Sequence, residues 1–420
     1  MLTHRQHLAI SSYWAAVNFM WGSLLLIVLP KQVEVMKAAD KGPALGLVIG
    51  IGAVAALTIP LWIGPVSDRC THALGRRRPF IFVGTLLNLV CLGLLAWAGS
   101  AGAFPLFVGA YFLMTIGNNI ATAAYTGVIP DLVASEERGK ASGYMAVMSQ
   151  LGTLAGVATA GFLPQDNRFL LSYGLIAGAL VLGLWVTMVG VRETPLENPA
   201  PAVPFREALG RLWSPLRDHD FRWVWITRAL VMAGFYSVLP LLQYFIDDRV
   251  SGAEDAVGTA AMLQGLVLIC ATLSGYIGGV VSDRLGRRRI VGMATLVMAA
   301  VCLALVFTTS VPLLFGVGAV FGLGYGAYVS VDWALGADAL PNKEDAAKDM
   351  AVWHIAGTLP QAIMAPIAGM LAAAFGYTME RRGNDLVPHY TASGYAAVLL
   401  TAAVMLVLGA IFLRQLRNVR

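Results

Sequence analysis

Few ionisable side chains fall within the apolar stretches of this chain, and each is a candidate for relaying a proton or holding a buried partner charge. Arg228 lies in "WITRALV", Asp332 in "VSVDWAL" and His354 in "AVWHIAG". Charges inside a membrane are costly and rarely incidental. The three should sit at similar depth, in a cluster that either latches helices together or passes protons. A second set is uncharged. Amides, hydroxyls and flat aromatic faces are groups that bind polar ligands, and estimated depth selects Asn18, Trp21, Asn118, Asn119 and Gln150. In the second half it selects Tyr236, Gln243, Gln264, Tyr325, Tyr328 and Gln361. The plainer role for each is a helix–helix hydrogen bond, worth about 1 kcal/mol in a membrane. A third set is charged and repeated: "SDRCTHALGRRRPFI" from Ser67 and "SDRLGRRRIV" from Ser282.

These residues need apolar elements to position them. The chain is 58% hydrophobic and 13% charged, with a mean hydropathy of +0.71. Soluble domains carry about 25% charged residues, and about 20 apolar residues cross a bilayer. Such segments recur along the whole length. About twelve spans are expected, the first near 9–29, the seventh near 221–246 and the eleventh near 349–374. The first is too long for a cleavable signal and lacks the small-residue site. Placing the N-terminus inside puts roughly 21 of the 29 Lys and Arg in cytoplasmic segments, as cationic loops require. Both termini are then cytoplasmic, and the net charge of +5 reflects this bias rather than nucleic-acid binding. Cys70, Cys91, Cys270 and Cys302 show no CxxC spacing, so free thiols and no metal are expected. No nucleophile–base pattern, HExxH or P-loop marks an enzyme, and no soluble segment is large enough for an ATPase. Any transport must draw on a gradient, and no cofactor is expected.

The pattern is duplicated. Four prolines in "RETPLENPAPAVPF" forbid regular helix and mark a linker over 192–220, between bundles at 1–191 and 221–420. In each half the arginine loop joins the second and third spans, and an acidic loop, "PDLVASEERGK" or "ADALPNKEDAAK", joins the fourth and fifth. Six spans plus six suits transporters whose repeats rock about a central site. The repeated D-R-x-G-R-R-R loop resembles that of the major facilitator superfamily. That resemblance implies an all-α membrane protein of twelve transmembrane helices in two pseudo-symmetric six-helix bundles. Asp68 and Asp283 end a helix at the membrane face, where a carboxylate caps a neighbouring helix or accepts from Arg. Gly75 and Gly286 permit the tight turn. Arg69, Arg76, Arg284 and Arg287 are expected to bridge helices as a latch; the simpler reading is a positive-inside anchor. "GTLAGVATAG" from Gly152 and "GLGYGAY" from Gly322 provide small residues for close helix approach.

The first half carries a narrower resemblance. Its expanded loop, "VNFMWGSLLLIVLP" from Val17 and "NNIATAAYTGVIPDL" from Asn118 are similar to the sucrose-transporter family, of the glycoside–pentoside–hexuronide:cation symporter type. The resemblance implies that Asp131 is the proton-carrying carboxylate. It departs at Thr126, where that family often has Arg, and assigns the basic residue entering the fifth span only to Arg138 or Lys140. Burial raises the pKa of a carboxylate, so an acid alternately wetted and buried suits the role. Capping the fifth helix, or pairing with Arg138 or Lys140, is the structural alternative. The expected function is proton-coupled uptake of a sugar, a disaccharide or glucoside such as sucrose or maltose, by a monomer in the inner membrane. Alternatives are an exporter of drugs or metabolites and a non-transporting receptor or assembly factor.

Overall fold

The computed structural model describes residues 3–133, 137–163, 168–191, 193, 213–341, 346–382 and 385–417. Most of the expected linker, and the side chains of Arg138, Lys140 and Asp283, lie outside what it describes. Among the described residues, twelve helices are long and apolar enough to cross a membrane. In the first half they are α1 (His4–Met36), α2 (Lys41–Asp68), α3 (Arg78–Ser100), α4 (Phe104–Tyr125), α5 (Arg138–Phe162) and α6 (Arg168–Gly190). In the second they are α7 (His219–Arg249), α8 (Ala256–Leu285), α9 (Arg287–Val306), α10 (Val311–Asp338), α11 (Ala346–Gly376) and α12 (Ala392–Phe412).

Several helix ends follow directly from local chemistry. Helices α3, α4 and α10 each open with proline in the first turn, where the missing N–H is not needed. Helix α1 begins five residues before its expected span because Thr3 and Gln6 form a capping box. There the Gln6 side chain accepts from the Thr3 N–H at 2.8 Å, a polar signal that hydropathy alone misses. Within α1, Leu24–Val28 is π-helical. Pro30 follows at the start of the next regular turn. A proline ring cannot accept regular α-helical spacing behind it, and a π-turn relieves that clash without ending the helix.

The duplication extends to packing. Helix α1 packs on α5 and α6, as α7 packs on α11 and α12; α3 packs on α4 and α6, as α9 packs on α10 and α12. At the α1–α5 crossing a Cβ on Gly152 or Gly156 would collide with the backbone of Ala15 or Phe19. The singled-out glycines thus serve close backbone approach between helices. Contacts divide the chain into two units, Met1–Lys37 with Ile51–Pro201 and Ala38–Gly50 with Ala202–Arg420. The first turns of α2 therefore group with the second unit. Gly42, Gly46 and Gly50 recur every fourth residue, and Gly42 and Gly46 leave no room for a Cβ against Gly369 and Pro366 of α11.

One departure from helix was not foreseen. Between α11 and α12, β1 (Tyr377–Arg382) pairs antiparallel with β2 (Asp385–Tyr390), with Tyr377 opposite Tyr390.

Candidate functional site

In the first half, the arginine loop closes on carboxylates. Gly75 turns with φ +98°, and Asp68 ends α2. Asp131 sits in the single turn Val128–Leu132 after α4. Arg76 pairs with Asp131. Arg77, buried at 6% exposure, donates from Nε to Asp131 at 2.8 Å and meets Asp68 at 2.5 Å. It also donates to Ser67 Oγ at 3.0 Å, and its backbone N–H donates to Glu193 at 2.8 Å. Burial opposes the Arg77 charge, but Asp131 and Asp68 outweigh it and hold the guanidinium above its ordinary value. Glu193 is pushed above the ordinary carboxylate range by burial, which the nearby Arg77 and Arg78 only partly offset. Arg77 and Glu193 were not among the residues singled out from sequence. Only "RRR" hinted at the first, and a linker position next to prolines hid the second. Arg69 is half-buried just past α2.

The second loop has the same turn and different partners. Gly286 turns with φ +92°. Arg287 pairs with Asp338 at the end of α10, at 2.6 Å, and donates to the Ala334 carbonyl. Asp338 thus stands to Arg287 as Asp131 stands to Arg76. Arg284, in the last turn of α8, is exposed.

The expected intramembrane cluster forms on α7, α10 and α11. Arg228 pairs with Asp332, whose side chain is only 3% exposed. The guanidinium lies 3.5 Å from the centroid of the Trp353 ring, a cation–π contact. His354 joins through aromatic rings, 5.5 Å from Trp333 and 5.7 Å from Trp353. Among the described residues it makes no hydrogen bond to either charge. A buried ion pair is specific and strongly sensitive to loss of one partner.

The uncharged candidates fall into distinct groups. Asn18 donates to the Trp14 carbonyl and Asn119 to the Thr115 carbonyl, both at 2.8 Å. Asn118 and Asn119 are both buried, and the Asn118 Oδ1 has no partner. Trp21 is half-buried and Gln150 exposed. In the second half, Tyr325 stacks on Phe235 at 4.8 Å and 8° and on Phe321 at 6.1 Å, while Tyr236 meets Phe235 edge-on at 5.3 Å. This is a layered aromatic face across α7 and α10. Tyr328 is fully buried with an unpartnered hydroxyl, and Gln243 is 3% exposed with both amide atoms unpartnered. Gln264 is buried and Gln361 half-buried. Asn88 on α3, missed in the sequence, is also fully buried with both amide atoms unpartnered.

A further charged cluster escaped sequence reasoning. Lys41, 2% exposed, meets Asp248 at 3.2 Å. The other Asp248 oxygen accepts from the Tyr390 N–H at 3.1 Å and the Tyr395 hydroxyl at 2.7 Å. The Lys41 ammonium lies 4.8 Å from the Tyr244 ring centre and 5.6 Å from that of Tyr390. Burial, with Asp248 nearby, pushes the Tyr390 hydroxyl up to about 12, so it stays a neutral acceptor for the Gly42 N–H. Lys41 and Asp248 flank apolar segments, 207 residues apart, and nothing in the sequence pairs them.

Among known proteins, a sucrose transport protein of Arabidopsis thaliana is 24% identical over 176 residues, 38% of this chain and 34% of that one. The match therefore spans about a third of that relative's length. The multi-drug resistance efflux pump PmrA of Streptococcus pneumoniae is 24% identical over 380 residues, 86% of this chain and 88% of the pump. The crystal structure of the nucleoside transporter NupG superposes with a TM-score of 0.72 at 12% identity, covering 99% of this chain and 100% of that one. The sequence profile of the Major Facilitator Superfamily matches residues 13–254 and 224–419. With twelve membrane-spanning helices, two copies of the arginine loop and a match along almost its whole length, the chain belongs to the Major Facilitator Superfamily of membrane transporters.

Proposed function

We propose that the chain is a proton-coupled secondary transporter of sugars, most simply of a disaccharide or glucoside, exposing its binding groups alternately to the two membrane faces. The observation that carries this reading is the set of buried, unpartnered polar atoms in the second unit: both Gln243 amide atoms and the Tyr328 hydroxyl. A buried donor or acceptor without a partner costs about 1–3 kcal/mol. Their recurrence in residue types suited to sugars supports a polar ligand as the missing partner. The Phe235–Tyr325–Phe321 face adds the flat apolar surface against which a pyranose ring packs. The arginine loops and both termini lie in the cytoplasm in this reading, as the cation bias favours.

Asp131 loads the proton. In the described pairing its charge is neutralised by Arg76 and Arg77, so loading requires that pairing to open. A proton then replaces the guanidiniums, and their return expels it. Asp332 with Arg228 is the second pair able to exchange a guanidinium for a proton. The test is transport into proteoliposomes. Sugar-dependent alkalinisation outside the vesicle is expected, and Asp131→Asn keeps sugar binding while losing proton-driven accumulation. An Asn variant that still concentrates sugar would move the coupling role to Asp332. Failure of every sugar to move protons would remove the symport reading.

The match to PmrA along 86% of the chain supports a second reading, proton-driven export. In that case substrates acidify rather than alkalinise the medium in the same assay.

A further inference from the structure

A basic groove of about 480 Å³ opens where α9 begins and α12 ends. Arg288, Arg289 and Arg414 are among its lining residues, beside an apolar floor that includes Leu285, Met293 and Leu413. Gly292 keeps the floor open: a Cβ there would reach only ordinary contact, 3.6 Å from Leu413, whereas a larger side chain would fill the groove. Arg288 is fixed by donating to the Leu416 carbonyl at 3.1 Å. Among the described side chains no carboxylate pairs with any of the three arginines. Leu285 and Met293 are 50% and 52% exposed; Met293 lies within the span Arg287–Val306, and Leu285 lies just past the end of the span Ala256–Ser282.

The first half uses the corresponding triplet differently. There Arg76 and Arg77 are taken up by Asp131 and Asp68, and Arg78 donates to the Met188 carbonyl at the end of α6. Two of the three charges in that triplet thus meet carboxylates. In the second copy only Arg287 has an acidic partner among the described residues, and the remaining charge converges on a shaped cleft. Guanidinium forks match phosphate oxygens in pairs, and basic pockets between transmembrane helices suit acidic headgroups. A free anion would need no apolar floor at membrane depth.

We propose that this groove binds an anionic phospholipid, its headgroup phosphate held by Arg288, Arg289 and Arg414 and an acyl chain lying over Leu285 and Met293. The site is independent of the transported substrate. The test is native mass spectrometry of the full chain released from micelles containing equal phosphatidylglycerol and phosphatidylcholine. Wild-type protein should retain phosphatidylglycerol at least tenfold over phosphatidylcholine. Arg289→Gln with Arg414→Gln, which leaves the Arg288 contact to Leu416 in place, should abolish that preference. Gly292→Leu should do the same with every charge retained, which separates a site from general attraction. A control pair on exposed positions, Arg217→Gln with Arg222→Gln, should leave the preference unchanged. Equal retention of both lipids by wild type, or equal loss in the control pair, would overturn the proposal. So would millimolar inorganic phosphate displacing phosphatidylglycerol completely, which would identify a free-anion site.

Discussion

The two arginine loops are copies in sequence and differ in what they do with charge. Both turn on a glycine with positive φ, and both place the arginine after that glycine on an aspartate at or just past the end of the fourth helix of the half. The first then adds a second, buried guanidinium shared by Asp131 and Asp68. The second turns its next arginine outward to a backbone carbonyl and an open groove. A duplicated motif thus preserves geometry while its pairing diverges: among the described side chains, two arginines of the first triplet meet carboxylates and one of the second does.

Removing the buried charge should break this contrast most sharply. Arg77→Ala leaves Asp131 with Arg76 alone and Asp68 without its partner, and loss of hydrogen bonds to charged groups costs about 1.5–3 kcal/mol each. Arg288→Ala loses one hydrogen bond to a carbonyl, about 1 kcal/mol. Thermal unfolding in one detergent should show Arg77→Ala falling well below Arg288→Ala, and equal effects would erase the distinction. A smaller effect is expected at the turns. Alanine at Gly75 or Gly286 meets a backbone conformation costing about 1–3 kcal/mol. Gly75→Ala should be the worse, because its Cβ would also collide with Glu193; matched midpoints for the two would sink that ordering.

The smallest effect is one of pH. Glu193 is held above its ordinary value near 4.5, so the folded chain binds this proton more readily than the unfolded one. Stability from this group is present below the ordinary value and falls as pH rises through the raised one. Glu193→Gln should flatten that part of the midpoint–pH curve, while Arg288→Ala leaves it sloped. A slope unchanged in the Gln variant would assign it to another group.

Much of this architecture was legible because a membrane leaves few options for the backbone. Spans, duplication and the turn glycines follow from hydropathy and repeated motifs, and the shared depth of Arg228 and Asp332 correctly brought them together. Partner choice within the loop was less legible: sequence favoured Arg76, yet Arg77 is the buried hub, since three adjacent arginines look alike until the chain turns. The Lys41–Asp248 pair was illegible for another reason. Charges flanking apolar segments read as interface anchors, and only folding shows Tyr390 and Tyr395 closing over them. The hairpin that supplies Tyr390 was not foreseen, because its two six-residue strands are too short to impose a period on the sequence.

The grouping of residues 38–50 with the second unit has a consequence for cutting the gene in two. A break in the 192–220 stretch gives two polypeptides of six spans each, yet the first carries away a piece that belongs structurally to the second. Expressed alone, the second fragment keeps Asp248 with its tyrosines but no lysine to neutralise it. Co-synthesis of both fragments should therefore rescue accumulation that neither reaches alone, and Lys41→Met on the first should abolish the rescue.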